Sequence, residues 1–282
     1  MHAPSETSPN HHRPFIRRLV TAAALILLAA GVLYPWHPAR ASERHFTYTY
    51  ESGVLNPGAV EIEPWTTFRS GRTDFYRRYD NRLEFEMGVA RRLQTAWYIN
   101  FTGLSEATTG GTRAAEFEFE GVSWEWKYKL TDPVADAFGS ALYLEGTTGP
   151  LENELELKYI LDKRFSNFLA AFNIVGEREW EFGSADTETE SVLVFDAGLG
   201  AFLTPRLFAG IEARNHNEFT EQGWEHSALF AGPVLSYARS GWWFSLSVLP
   251  QLPALKGGEG PGHRILDEHE KVNARILFGF DL

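Results

Sequence analysis

From Ala59 onward the chain is written in segments of about ten residues in which apolar and polar side chains alternate one by one. No other feature restricts its fold as much, because a period of two puts successive side chains on opposite faces of a strand. Tyr79, Asn81, Leu83, Phe85 and Met87 alternate with Asp80, Arg82, Glu84 and Glu86; after a turn at Gly88 to Arg92, Leu93, Thr95, Trp97, Ile99 and Phe101 alternate with Gln94, Ala96, Tyr98, Asn100 and Thr102. These two form a hairpin. The same pattern places Trp124, Trp126, Tyr128 and Leu130 opposite Glu125, Lys127 and Lys129, and Leu151, Leu155, Leu157, Tyr159 and Leu161 opposite Glu152, Glu154, Glu156, Lys158 and Asp162. A soluble β-sandwich shares the alternation and the polar turns. Its buried face, however, would have to hold Glu84, Glu86, Glu154 and Glu156 away from water. With apolar residues facing lipid and these carboxylates facing a wet interior, the pattern predicts an all-β fold, a transmembrane antiparallel up-and-down β-barrel.

Twelve strands are expected, at about 59–69, 78–88, 92–103, 114–130, 137–147, 151–162, 166–177, 188–201, 206–216, 226–238, 241–252 and 268–282. The fourth is too long for one regular strand, and its alternation slips near Gly121, which predicts a bulge. The last carries Val272, Ala274, Ile276, Phe278, Phe280 and Leu282 on one face with Asn273, Arg275, Gly279 and Asp281 on the other; Leu277 is the one apolar residue on the polar side. Such a strand is expected to close the barrel on the first strand, leaving no edge. Short turns at one rim alternate with longer connections, around 70–77, 104–113, 178–187, 217–225 and 253–267, at the other.

Residues 1–41 read as a cleaved signal peptide. Arg13, Arg17 and Arg18 precede the apolar run Leu19 to Leu33, and Ala39-Arg40-Ala41 supplies the small residues a signal peptidase reads. The run is 15 residues, short of the roughly 20 a spanning helix needs. Export to the bacterial outer membrane is the expected destination, with outer-membrane lipid, the barrel-assembly machinery and periplasmic chaperones as partners. Residues 42–58 form an N-terminal periplasmic segment or a lumen plug: Phe46, Tyr48 and Tyr50 alternate with Thr47 and Thr49, and Pro57-Gly58 separates them from the barrel at 59–282. Without residues 1–41, which carry four Arg and one Glu, the chain holds 22 Lys+Arg against 36 Asp+Glu, net −14. That balance excludes nucleic acid as a partner class. The absence of cysteine excludes disulfides, thiolate metal sites and a Cys nucleophile.

Phe46-Thr47-Tyr48-Thr49-Tyr50-Glu51, Gly58-Ala59-Val60-Glu61-Ile62-Glu63, Leu83-Glu84-Phe85-Glu86 and Leu93-Gln94-Thr95-Ala96 resemble poorly characterised Gram-negative outer-membrane barrels grouped with transporters of the meta-pathway of phenol degradation. The likeness covers mainly residues 46 to 101. It implies a barrel fold and a transport role, and supplies no catalytic residues.

Twelve strands enclose a lumen between the filled interior of eight-stranded barrels and the wide channels of porins. The side chains expected to line it are Glu61, Glu63, Arg82, Glu84, Glu86, Asn100, Lys127, Glu152, Glu154, Glu156, Lys158, Glu212, Arg214 and Arg275. A net-acidic ring prefers cations, so the leading expectation is a channel or transporter for a small solute. The alternative is a structural or interaction barrel acting through its external loops, with opposite charges neutralised across the lumen. Aromatics expected at the membrane interface are Trp97, Trp124, Trp126, Trp242, Trp243 and Phe280. Lipid hydrolysis is the least favoured function, because neighbouring His226 and Ser227 point to opposite faces of a strand and cannot pair. No enzyme, cofactor or metal site is expected; His216, Glu218, His226, His263, Glu268 and His269 gather near one rim but have no specific ligand spacing.

Overall fold

The computed structural model describes residues 43–108, 112–182, 187–220 and 222–282; the expected signal peptide, residues 1–41, lies outside them. Twelve strands run β1 Val60–Ser70, β2 Tyr76–Ala90, β3 Leu93–Ala107, β4 Arg113–Thr131, β5 Gly139–Thr148, β6 Glu152–Phe165, β7 Phe168–Phe182, β8 Thr187–Thr204, β9 Leu207–Thr220, β10 Gly223–Arg239, β11 Trp242–Lys256 and β12 Val272–Asp281. Each pairs antiparallel with its neighbours in sequence, and β1 pairs with β12 through Ile62 opposite Phe280 and Phe68 opposite Ala274. The expected barrel is therefore closed, and its backbone ladder has no edge. Trp97, Ile99, Leu142, Leu144, Leu155, Leu157, Leu246 and Val248 are exposed on the outside, while Glu61, Glu63, Glu84, Glu125, Asp196 and Arg275 are buried within. Apolar outside and charged inside is the inverse of a soluble domain and the pattern of a barrel in lipid.

The slip near Gly121 is a bulge. Asn100 pairs with Gly121 and Phe101 with Phe119, so Glu120 is the extra residue. Gly121 has φ 150°, and a Cβ there would sit 2.4 Å from the Thr148 carbonyl oxygen, so the bulge needs glycine.

Two expectations are corrected. The connections at 178–187 and 217–225 are mostly strand: β7 continues to Phe182, β9 reaches Thr220, and β10 resumes at Gly223. An antiparallel ladder bonds backbone to backbone whatever the side-chain polarity, so the hairpins extend as charged, paired strands. Among the described residues the one long connection is 257–271, between β11 and β12. The second correction is Trp243, which is 1% exposed and faces the lumen, its indole N–H donating to Glu61. Adjacent Trp242 and Trp243 cannot both face lipid; Trp242 takes the outer face beside Tyr237 and Phe244. Gly279 lies opposite Trp243, and the indole fills the space its missing side chain leaves. Leu277 joins Trp65, Ala96, Tyr98 and Trp243 in a buried cluster, which accounts for an apolar residue on the polar face.

Candidate functional site

Residues 43–58 form no strand. They enter at the rim of the short turns, where His45 stands edge-on to Phe202 and Phe208 at 4.9 and 5.2 Å, and return there where the Gly58 N–H donates to the Gly88 carbonyl. Between these points the chain bends repeatedly, and its alternating aromatics go to three separate places. Phe46 packs with Leu169, Ala171, Phe208 and Val234; Tyr48 with Ala228, Phe230, Leu249 and Ile265; Tyr50 with Ala141, Tyr143 and Ile160.

Side chains of the barrel take the place of a neighbouring strand for this segment. The Glu212 carboxylate accepts the backbone N–H groups of Thr47, Tyr48 and Thr49 at 3.2, 2.7 and 2.7 Å, and the Thr47 hydroxyl at 2.8 Å. Asn173 accepts the Tyr50 N–H at 2.6 Å and donates to the Tyr50 carbonyl at 2.9 Å; Gln94 accepts the Leu55 N–H at 2.9 Å. Cations cap the rings: Arg275 lies 3.6 Å over Tyr48, Arg44 4.0 Å over Tyr50, and Lys158 4.2 Å over Tyr50. Three successive amides turned on one carboxylate make an anion nest, here satisfied by the wall itself.

The expected lining residues lie on the inner face. Glu61, Glu63, Glu84, Glu86, Asn100, Lys127, Glu212 and Arg275 are buried, and Arg82, Glu152, Glu154, Glu156, Lys158 and Arg214 are half-buried. Charges are partly matched. Arg82 pairs with Glu145 and donates to Asn100 at 2.8 Å; Lys158 meets Glu156 at 2.7 Å; Arg214 lies 3.9 Å from both Asp196 and Glu177. Others are crowded with like charge. Glu61 stands opposite Glu86 and Glu63 opposite Glu84 across β1 and β2, an arrangement that destabilises a sheet.

Toward the other rim the lumen opens into a vestibule of about 420 Å³. On one wall β6, β7 and β8 set Glu152 opposite Glu181, Glu154 opposite Glu179, Glu156 opposite Glu177 and Glu179 opposite Glu190. Arg69, Arg78 and Arg214 also line this space, and Asp80 bridges the first two at 2.6 and 2.5 Å. Sequence reasoning missed Glu145, Glu177, Glu179, Glu181 and Glu190; Glu179 and Glu181 escaped it because β7 runs past the expected end at 177. His226 and Ser227 do diverge: Ser227 accepts from Asn215 at 2.9 Å while His226 faces inward to His269. Of the expected interface aromatics, Trp97, Trp124 and Phe280 are exposed on the outer face and Trp126 and Trp242 are half-buried.

A closed twelve-stranded barrel, apolar without and charged within around a hollow vestibule, is the architecture of outer-membrane barrels. The chain belongs to a family of unknown function, DUF6662, whose profile matches residues 38–282. Among solved structures it is similar to an outer-membrane channel from Pseudomonas putida F1, with TM-score 0.58 and 10% identity over 82% of this chain and 98% of that one. It is also similar to the beta domain of the Bordetella autotransporter Brka, with TM-score 0.51 and 13% identity over 80% and 100% of the two chains, and to the NanC porin, with 0.50 and 13% over 78% and 100%. At these identities the likeness is one of fold. No functionally curated protein matches the chain.

Proposed function

We propose that the protein is an outer-membrane channel for small solutes, with its short turns in the periplasm, its vestibule open to the outside, and residues 43–58 as a plug in the periplasmic half. The observation that carries this reading is a hollow charged vestibule leading down to a segment that the barrel grips by side chains. A segment needed only to fill the interior could have been replaced by larger wall residues; one held by Glu212, Asn173 and Gln94 can leave without breaking the ladder. The carboxylates of Glu154 and Glu156, which line a lumen cavity, and those of buried Glu84 and Glu86 support a preference for cations.

The test is conductance in planar bilayers, with and without residues 43–56. The full chain should conduct seldom, the shortened chain steadily and with cations preferred, and replacing Glu84, Glu86, Glu154 and Glu156 together by Gln should weaken that preference. Hydrophobic aromatics and organic cations are the solutes to screen, the first for the family resemblance and the second for the lumen charge. A folded, shortened barrel that neither conducts nor takes up any of them would move the reading to an interaction barrel working through its outer hairpins.

A further inference from the structure

The vestibule wall carries a cluster that neither transport nor the plug requires. His216 and Glu218 project from the inner face of β9 two residues apart, and β10 sets His226 beside them because the ladder shifts register between Trp224 and His226. The connection 257–271 folds back into the mouth, anchored where Gln251 accepts the Ile265 N–H at 2.9 Å and donates to its carbonyl at 2.8 Å, and where Arg72 pairs with Glu270 at 2.9 Å. This brings His269 against the other three. Its Nε2 lies 2.7 Å from His226 Nε2, which is 3.3 Å from Glu218 Oε2, and the His216 ring meets His269 edge-on at 4.8 Å between centroids.

We propose that His216, Glu218, His226 and His269 form a binding site for one divalent transition-metal ion of the zinc class. One donor atom from each of the four residues falls within 4.8 Å of all the others. A tetrahedral zinc ion holds imidazole nitrogens at about 2.0–2.1 Å, with donors about 3.4 Å apart, so side-chain rotations alone close the set. Three imidazoles and a carboxylate select zinc, cobalt, nickel or copper over calcium and magnesium, which take oxygen. Glu268 Oε2 lies 2.8 Å from His226 Nδ1, the ring nitrogen turned away from the cluster. A carboxylate there is the usual outer support of a metal-bound imidazole. His216 and His269 border the same vestibule as Glu152, Glu154, Glu179 and Glu190, whose negative field concentrates divalent cations at the entrance. The site does not depend on conduction, since binding is measured without a membrane.

The experiment uses the mature chain in detergent micelles, without a histidine tag, stripped with EDTA and titrated with zinc by calorimetry and with cobalt by visible absorption. One ion per chain is expected, with the intense visible band of tetrahedral cobalt and no competition from excess calcium. His269→Gln, in a connection outside the strands, should weaken zinc binding at least 100-fold and abolish the band without disturbing the barrel; Glu268→Gln should weaken it about 10-fold while keeping the band. Wild-type affinity in His269→Gln, a weak octahedral cobalt spectrum, displacement by calcium, or no saturable binding by the unaltered chain would each overturn the proposal.

Discussion

Removing the Glu212 carboxylate should release the segment inside the barrel. In Glu212→Ala three buried amides, those of Thr47, Tyr48 and Thr49, lose their acceptor at once, together with the Thr47 hydroxyl. An unsatisfied buried donor costs about 1–3 kcal/mol, so even the lower end for three amides is ~3 kcal/mol. A penalty of that size moves the bound-to-released ratio of the segment roughly a hundredfold. Glu212→Gln keeps one acceptor oxygen and should shift it by about tenfold. Hydrogen exchange at residues 47–49 reads the change directly, and the open fraction in planar bilayers reads its consequence. If the amides of 47–49 stay as protected in Glu212→Ala as in the unaltered chain while the barrel remains folded, the carboxylate does not hold the segment and the reasoning fails.

Gly198→Val should have a similar effect from the wall side, because a Cβ there would stand 2.5 Å from the Phe46 ring; unchanged conductance would show that Phe46 moves aside at no cost. His45 and Glu51 predict a pH dependence. Burial opposes the charge on His45, but the charge and hydrogen bonds of Glu51, 3.0 Å from its ring, leave its pKa raised above 6.5. Burial likewise opposes the Glu51 charge, and His45 leaves its pKa below 4.5. The pair therefore holds fully between about pH 4.5 and 6.5 and loosens as pH rises through the raised value of His45 or falls through the lowered one of Glu51, so open fraction should climb toward alkaline pH and His45→Gln should flatten that limb. Deleting Phe280 to Leu282 removes the rungs of Phe280 and Asp281 with Ile62 and Glu61, and should sharply reduce the heat-modifiable form on gels. A cysteine at Gly258 should be labelled on intact cells by an impermeant reagent and one at Arg91 should not; the reverse would invert the orientation.

The strands and their order were legible because each runs long enough for period two to declare itself, and because the bulge at Gly121 left a visible slip in that period. Strand ends were not. Past the expected end at 177, Glu179 and Glu181 alternate with Arg178 and Trp180 just as Glu152, Glu154 and Glu156 do with their neighbours, but a charged stretch reads as loop when the ladder that pairs it is out of view. Trp243 was misjudged because a Trp-Trp pair shows that one ring must face inward without showing which; Gly279, its cross-strand partner, decides it. The bends of residues 43–50 were hidden for a different reason. Three aromatics at every second position suit a strand, and only the positions of Phe208, Phe230 and Tyr143 on distant strands pull them apart. The histidine cluster depended on a fold-back of residues 257–271 that no local spacing encodes. The sequence placed all four of its residues near one rim, and lacked only the spacing that would have marked them as ligands.

The burden of charge inside the barrel bears on what the interior is for. Leu277, Trp65, Ala96, Tyr98 and Trp243 show that this lumen accepts an apolar cluster where it is only being filled. Replacing buried ion pairs with apolar groups of similar size is often neutral or stabilising, so an interior serving stability alone would extend that cluster. Instead Glu61, Glu63, Glu84 and Glu86 face one another across β1 and β2, and a second ladder of carboxylates lines the vestibule. Like charges set opposite each other cost stability. A cation between them would lower that cost, which is the physical basis of the cation preference proposed above. The same proposal accounts for a segment gripped by Glu212, Asn173 and Gln94, with Arg275 and Lys158 of the wall over its rings and its own Arg44 over Tyr50. In the proposed channel, its polar backbone and these cations supply, in the plugged state, the positive and hydrogen-bonding partners that a passing solute and water would supply in the open one.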